Sequence, residues 1–440
     1  MAERTKGSTI PRPASRPASR TEAGPAARQA SLIETRPDGD GRRLALLAAV
    51  SLLCVLGLMM VLSASSVDAV RSKGDVWAVF VRQVLWVALG LTALLVASSM
   101  DYHAWRRMVR PMLVVSFLLL VVVLVPGVGI SANGSTRWLG SGSWRFQPSE
   151  LAKLALLVFT ADLLARRRDR IDDVRASLRP VLLVTGLFVL PVMLQPDMGT
   201  TIVFVAVVLA LLFAGGIPLR PLVTLGLTTI AVSLAAGFGS GYRRQRLLSF
   251  LDPFADAGNT GYQVAQSLVA LGSGHVTGVG LGASRAKWGF LPNAHTDFIF
   301  AIIGEELGLF GTLAVVALFA VIAGLGVATA LRARDRFGAL LATGITTWIV
   351  GQALINMGAV TGLLPVTGVP LPFVSFGGSA MVVTMGAIGI LRSIAIPRPA
   401  GDASAAAPSS SRASRPAGPS GSRHHRSGRP STSPSRGSSR

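Results

Sequence analysis

Six acidic residues lie in or beside apolar segments of the sequence, where a charged carboxylate is costly and asks for an explanation. They are Glu150, Asp162, Asp197, Asp297, Glu305 and Glu306. Asp162 ends an apolar segment just before a run of arginines, so we interpret it as part of a structural ion pair. Glu305 and Glu306 lie about two helical turns into a long apolar segment, where only one can share a face with Asp297. We interpret both as partnered structural carboxylates, with a proton or ion pathway as the alternative.

Asp297 differs from the other acids in its position. It follows a proline-containing loop, Leu291 to Thr296, and precedes an apolar run that begins at Phe298. A carboxylate there is partly desolvated but can still be reached from outside the membrane, which suits a general base. Asp is also common at the start of a helix, where it caps backbone N–H groups. The residues alone leave catalysis and helix capping equally open.

A group of cations lies among two motifs of the third connecting loop on the outer side. The motifs run from Asn133 to Trp138 and from Gln147 to Lys153, and the cations are Arg137, Arg145 and Lys153. Arg and Lys are the usual donors to phosphate, so we predict that these cations recognise a lipid-linked phosphate. The alternative is that they anchor the loop to lipid headgroups beside an interfacial tryptophan.

Two further motifs are rich in proline and glycine. The segment Gln195 to Thr200 has the composition of a tight turn, so Asp197 is structural unless the fold brings it to the site. The segment from Pro365 to Ser379 carries three prolines and the Gly377–Gly378 pair. Non-helical backbone at membrane depth is tolerated only where protein buries it or where it lines a cavity. This second segment therefore predicts a site near the outer face.

Several classes of site are excluded by the sequence. It contains no P-loop, no Gly-x-Ser-x-Gly elbow and no clustered Cys and His metal site. Cys54 is the only cysteine, so no disulfide forms within the chain.

The residues that could do chemistry must be positioned by membrane helices. Half of the 440 residues are hydrophobic and only 14% are charged, which excludes a soluble globular protein. The eighth apolar segment is long and must project, tilt or bend near Gly304, Gly308 and Gly311. The ten apolar segments are 44–65, 76–98, 111–127, 151–165, 180–195, 200–216, 219–239, 298–330, 337–360 and 376–397.

Charge predicts the orientation of these segments, because Lys and Arg are retained on the cytoplasmic side. The alternation of basic loops places both termini in the cytoplasm and a large extracytoplasmic loop, about residues 240–296, between spans 7 and 8. We predict an all-α integral membrane protein with about ten transmembrane helices. Residues 1–43 and 398–440 are predicted to be disordered basic tails, leaving 44–397 as the membrane domain. The tails hold roughly half of the net charge of +21, so the charge does not imply nucleic-acid binding.

Five motifs in order resemble the SEDS family, to which FtsW, RodA and SpoVE belong, over about residues 44–397. They are Asn133-Gly134 with Arg137-Trp138; Gln147-Pro148-Ser149-Glu150; Gln195-Pro196-Asp197 with Gly199-Thr200; His295 to Phe300; and Ser375 to Ser379. The segments Leu281 to Lys287 and Leu291 to His295 are more similar to the FtsW branch than to the RodA branch. Phe376 departs from the family, which usually has Tyr there.

The resemblance implies a peptidoglycan glycosyltransferase that polymerises lipid II at the division septum and releases undecaprenyl diphosphate. It implies Asp297 as the catalytic residue. The substrate-binding residues that we predict with it are Gln147, Glu150, Arg137, Lys153, Arg243, Arg244, His295, Ser375 and Ser379. A departing diphosphate needs positive charge, from these cations or from a divalent cation such as Mg²⁺ or Mn²⁺. No resident metal site and no other cofactor is predicted.

The resemblance also implies a class B penicillin-binding protein, an FtsI-like transpeptidase, as the partner. Other divisome proteins are expected, with a link to FtsZ through the basic tail as one option and a solvated tail without a dedicated partner as another. The alternatives for function are a RodA-like elongation polymerase, a lipid II flippase and a non-catalytic divisome scaffold.

Overall fold

Eleven α-helices make up most of the residues that the computed structural model describes, which are 38–71, 76–132, 135–141, 144–168, 174–238, 252–255 and 261–395. The first seven are α1 (Asp38–Arg71), α2 (Val76–Ser99), α3 (Ala104–Val123), α4 (Pro148–Arg166), α5 (Val174–Leu194), α6 (Met198–Ala214) and α7 (Leu219–Phe238). The other four are α8 (Tyr262–Ser273), α9 (Ile299–Leu331), α10 (Arg336–Val360) and α11 (Ser379–Ile394). Each of the ten apolar segments coincides with a helix, and α8 is an additional one within the predicted extracytoplasmic loop.

Five of these helices are long and apolar enough to cross a membrane by themselves, so the chain is a multi-pass membrane protein. The five stretches are Asp40–Ser65, Trp77–Ser99, Ser177–Leu194, Ile299–Leu331 and Arg336–Val360. Two shorter apolar helices, α6 and α11, have 17 and 16 residues. The count of ten spans and the orientation stay predictions. Helix α1 begins at Asp38, inside the segment predicted as the N-terminal tail; residues 1–37 and 396–440 lie outside the described residues.

The long helix α9 is bent at Gly308, whose φ of 67° and ψ of −159° are not helical. The chain after α8 packs directly on this bend, where Val279 N and Gly280 N donate hydrogen bonds to the carbonyls of Glu305 and Glu306. A side chain at Gly308 would come within 2.4 Å of the Gly278 nitrogen. Of the three alternatives for this long segment, which were to project, tilt or bend, the structure shows a bend, and the close backbone contact explains why it falls at this glycine.

A small antiparallel sheet between α3 and α4 departs from the all-α expectation. Its strands are β1 (Ile130–Ala132), β2 (Ser135–Ser141) and β3 (Trp144–Phe146), in the order β1-β2-β3. At Gly140, with φ of 133°, a Cβ atom would lie 2.1 Å from the Trp144 carbonyl oxygen. This close pairing of β2 with β3 turns the chain toward α4, and β2 carries Arg137.

The helices pack around an apolar interior, with α2 against α11, α9 against α10 and α3 against α4. At the basic end of α4, the Nε atoms of Arg106 and Arg166 lie 2.7 and 2.9 Å from carboxylate oxygens of Asp162. The predicted structural ion pair at Asp162 is therefore confirmed. Polar side chains concentrate at the opposite end of α4, near Glu150 and Lys153.

Candidate functional site

Asp297 lies in a turn immediately before α9. Thr296 N and Phe298 N donate hydrogen bonds of 3.1 and 3.4 Å to the Asn293 carbonyl, and Asn293 adopts a left-handed φ of 59°. The N-cap residue of α9 is Phe298, whose own side chain makes no capping hydrogen bond. Asp297 is half-buried. Asp297 therefore lies at the mouth of α9, immediately before the N-cap residue of that helix.

Arg137 and Asp297 both lie beside Gly368, and we call the region bounded by these three residues the cleft. A Cβ atom placed on Gly368 would lie 3.7 Å from Asp297 Oδ2, 3.8 Å from Arg137 Nη2 and 4.0 Å from Arg137 Nη1. The guanidinium also lies 5.0 Å from the ring centre of Trp138. A carboxylate and a cation from motifs 160 positions apart in the sequence thus meet across Gly368, as the resemblance implied.

Asp197 is brought to this site by the turn before α6. Its side chain accepts hydrogen bonds from Thr200 N (3.0 Å) and Thr200 Oγ1 (2.9 Å), which cap α6. Gln147 Nε2 donates to Asp197 Oδ2 at 3.2 Å, and Arg137 Nη1 lies 3.5 Å from the same oxygen. The carboxylate is only 1% exposed. Asp197 is therefore structural in its contacts and also orients Arg137 and Gln147.

The non-helical segment between α10 and α11, residues 361–378, connects the predicted motifs; we call it the proline segment. Its Phe376 N donates to the His295 carbonyl at 3.0 Å, beside the turn that carries Asp297. Ser375 Oγ accepts from Leu371 N at 2.8 Å within the segment. Just after it, Ser379 Oγ accepts from Gln147 N at 3.0 Å. The structure thus gives Ser375 and Ser379 structural hydrogen bonds and brings the His295 and Gln147 motifs together.

Lys153 and Glu150 form a separate buried group beside the proline segment. Lys153 Nζ lies 2.9 Å from Glu150 Oε2 and donates to Gln352 Oε1 at 2.8 Å. Both charged side chains are 2% exposed. The ammonium also lies 5.1 Å from the ring centre of Trp348, and Gln352 Nε2 donates to the Pro370 carbonyl at 3.0 Å. The buried pair therefore reaches the proline segment through Gln352.

Asn356 and Gln352, both on α10, are the site residues that sequence reasoning missed. Asn356 Nδ2 donates at 2.8 Å to the carbonyl of Asp297 and at 2.8 Å to that of Val369. One buried amide therefore ties the turn of Asp297 to the proline segment. Their signal in the sequence was two amide side chains four residues apart in an apolar helix.

The arrangement can bind an anion beside a carboxylate that accepts a proton. Asp297 and Arg137 supply the two groups, while Asn356, Asp197 and Gln147 hold them in place. Among the residues that the structure describes, no three His, Cys, Asp or Glu side chains group to hold a metal ion. Arg243 and Arg244, predicted to bind substrate, lie outside the described residues, as do Asn133 and Gly134.

Comparison with known proteins identifies relatives over most of the chain. The family model of FtsW, RodA and SpoVE, described as cell cycle protein, matches residues 43–398. The probable peptidoglycan glycosyltransferase FtsW of Geobacter metallireducens is 40% identical over 349 residues, covering 79% of this chain and 93% of that protein. Stage V sporulation protein E of Bacillus subtilis is 40% identical over 361 residues, or 82% and 97%.

A similar solved structure belongs to a peptidoglycan synthase complex described as coordinating polymerization and crosslinking. One of its chains has a TM-score of 0.65 and 27% identity, and the match covers 80% of this chain and 96% of that one.

Proposed function

The chain belongs to the FtsW, RodA and SpoVE family of cell cycle proteins, and from this premise we propose that it is a peptidoglycan glycosyltransferase. It polymerises lipid II into glycan strands and releases undecaprenyl diphosphate. The observation that carries the proposal is the cleft over Gly368. A Cβ atom placed on this glycine would lie 3.7 Å from Asp297 Oδ2 and 3.8 Å from Arg137 Nη2. A base and a cation that both adjoin Gly368 are the two groups that this transfer needs.

In the proposed reaction Asp297 is the general base. It takes the proton from an acceptor sugar hydroxyl as that oxygen forms a bond to the anomeric carbon of the donor. The bond from this carbon to the diphosphate oxygen breaks, and its electron pair leaves with the diphosphate. Because diphosphate departs as a stable anion, a second carboxylic acid of the glycosidase type is not required. Arg137 stabilises the departing charge.

The other proposed substrate residues surround these two. Gln147 donates a hydrogen bond to Asp197, and the His295 carbonyl accepts one from Phe376 N of the proline segment. The hydroxyls of Ser375 and Ser379 anchor this segment by accepting backbone hydrogen bonds. Lys153 is buried against Glu150 and Gln352. A direct contact between Lys153 and a phosphate therefore requires that its side chain leave this pairing. Arg243 and Arg244 complete the proposed set.

We place any divalent cation of the reaction with the substrate rather than with the protein. The described carboxylates near the cleft do not form a metal site, because Asp197 is occupied by Arg137, Gln147 and Thr200. If Mg²⁺ or Mn²⁺ takes part, it would be carried by the diphosphate and would add to the charge of Arg137.

The proposed setting is the division septum, with a class B penicillin-binding protein that crosslinks the strands. The FtsW relatives and the similar chain in a synthase complex support this setting. A fluorescent fusion is expected to concentrate at the septum; enrichment along the lateral wall would instead assign the elongation role. The link of the basic tail to FtsZ and other divisome proteins is proposed on charge alone.

The experiment supplies purified protein with lipid II, alone and with its penicillin-binding partner, while a β-lactam blocks transpeptidation. Glycan strands from the wild type, and none from Asp297→Ala of equal thermal stability, are expected. Absence of strands from folded, partner-bound wild type would contradict the proposal. Translocation of lipid II across proteoliposomes without polymerisation would favour a flippase.

A further inference from the structure

Gly368 differs from the other glycines of the site in what its missing side chain would meet. Its φ is 70°, and a Cβ atom there would have Asp297 Oδ2, Arg137 Nη2 and Arg137 Nη1 as its nearest neighbours. All three distances lie between 3.7 and 4.0 Å, which is ordinary contact. Packing would therefore admit a methyl group at this position, and the group would contact both the carboxylate and the guanidinium.

The proline segment cannot shift away from Asp297 and Arg137, because its other side packs closely on the start of α6. A Cβ atom on Gly199, in the turn after Asp197, would lie 2.6 Å from the Thr367 carbonyl oxygen and 2.2 Å from Val369 Cγ2. The residues on both sides of Gly368 are thus pressed against the start of α6. Because the segment cannot shift, a side chain at position 368 would occupy the cleft.

The walls of the cleft are fixed by buried polar contacts. Asn356 Nδ2 holds the carbonyls of Asp297 and Val369 at 2.8 Å each. Asp197, whose side chain caps α6, lies 3.5 Å from Arg137 Nη1. The same two helices, α6 and α10, therefore hold Asp297, Arg137 and the proline segment in place. A methyl group on the floor would reduce the width of the cleft instead of moving its walls.

We infer that Gly368 is the floor of the subsite for the diphosphate of the lipid-linked donor and is a specificity-determining residue. The inference rests on the proposed function. The diphosphate lies over Gly368 against Arg137, and this places the anomeric carbon beside Asp297. A glycine is needed here because backbone can approach a phosphate more closely than a side chain allows. Any larger residue displaces the diphosphate, and a misplacement of about 1 Å can reduce the rate about 100-fold.

Gly362 provides a matched control in the same segment. Its φ is 71°, and a Cβ atom there would meet only Leu268 and Val264 side-chain carbons at 3.6 to 3.8 Å. Gly362→Ala and Gly368→Ala therefore place alanine at positive φ angles of 71° and 70°, and thermal stability measures the cost of each. Asn tolerates this conformation better than alanine, so Gly362→Asn and Gly368→Asn form a second pair in case the alanine variants fold poorly.

The experiment measures, for both pairs in nanodiscs, thermal stability, binding of undecaprenyl diphosphate and polymerisation of lipid II. We expect equal stability within each pair, an affinity for undecaprenyl diphosphate at least about tenfold lower in the position-368 variants, and polymerisation lower by about 100-fold. Equal affinity for undecaprenyl diphosphate within each pair would overturn the inference. If the wild type forms no strands, only the proposed function is refuted. The binding measurement then still tests the role of Gly368.

Discussion

Asp297 and the pair Glu305 and Glu306 lie within ten residues of each other in the sequence, but their surroundings differ. Asp297 is half-buried beside a cleft, with a guanidinium on the other side. Glu305 and Glu306 are 2% and 1% exposed, inside the bend of α9. Both groups satisfy the same description in the sequence, an acid near the start of the eighth apolar segment. The structure separates them by what their oxygens face.

Both oxygens of Glu305 and Oε1 of Glu306 accept hydrogen bonds from the chain that precedes Asp297. Glu305 accepts from Arg285 N (2.8 Å), from Ala286 N (3.2 Å) and, by a short bond, from Ser284 Oγ. Glu306 Oε1 accepts from Lys287 Nζ at 3.1 Å.

Ser63 of α1 also contacts this pair of carboxylates, because its hydroxyl donates to the same Glu306 oxygen at 2.7 Å. The cluster therefore fastens the outer segment to α1 and α9. The carboxylates of this cluster are structural, whereas Asp297 lies close to the guanidinium of Arg137 at the proposed reaction site.

The largest expected effect on stability comes from Lys287→Met. Removing the ammonium leaves the Glu306 carboxylate buried without a cation, and breaking a buried pair in this way costs about 3–5 kcal/mol. We expect a corresponding loss in the free energy of unfolding, measured by denaturation in micelles. The double variant Lys287→Met with Glu306→Gln removes the unpaired charge and should recover most of the loss. Equal stability of the single and double variants would show that the pair is not what holds the cluster.

A smaller effect, on the Asp297 side of the comparison, is expected from Asn356→Leu. The carbonyls of Asp297 and Val369 lose their donor, which costs about 1–3 kcal/mol, and the cleft loses its fixed width. We expect kcat for strand formation to fall about tenfold, with less change in KM. Thr346→Val is the control, since Thr346 is buried in the same helix and donates only to the Ala342 carbonyl of α10. Equal kcat values for the two variants would refute a positioning role for Asn356.

The smallest effect is expected at Asp162, a carboxylate that belongs to neither group. Arg166 is 63% exposed, and an exposed ion pair contributes about 0–1 kcal/mol. Arg166→Ala should therefore leave both the unfolding free energy and strand formation nearly unchanged. Arg106, 30% exposed and 2.7 Å from the same carboxylate, keeps the acid paired. A large loss of activity in Arg166→Ala would mean that the basic end of α4 is coupled to the cleft.

The helices and the bend of α9 could be predicted because hydrophobic runs and a glycine cluster are local signals. The sheet could not, since β1 and β3 have only three residues each and are stabilised by pairing instead of by their own pattern. Asp297 and Arg137 were both identified from motifs. Their proximity was implied by the resemblance, but the position of Gly368 beside both was not, because it depends on how α9, α10 and β2 pack.

Asn356 and Gln352 were missed for a related reason. Each is a lone amide in an apolar helix, and its role depends on partners distant in the sequence: Asp297 for Asn356 and Lys153 for Gln352. The interpretation of Glu305 and Glu306 as partnered structural carboxylates is confirmed. Their partners, Ser63 and the segment from Ser284 to Lys287, could not be named in advance because the bend of α9 creates the pocket that holds them.

The most direct test of the account compares Asp297→Asn with wild type and with Glu305→Gln, measuring lipid II binding and strand formation on folded protein. Asn keeps the size of the side chain and removes the base. We predict that Asp297→Asn binds lipid II as wild type does and forms strands about 10²–10⁴ times more slowly. Glu305→Gln should lose stability and keep its rate per folded molecule. Strand formation by Asp297→Asn at the wild-type rate would contradict the account.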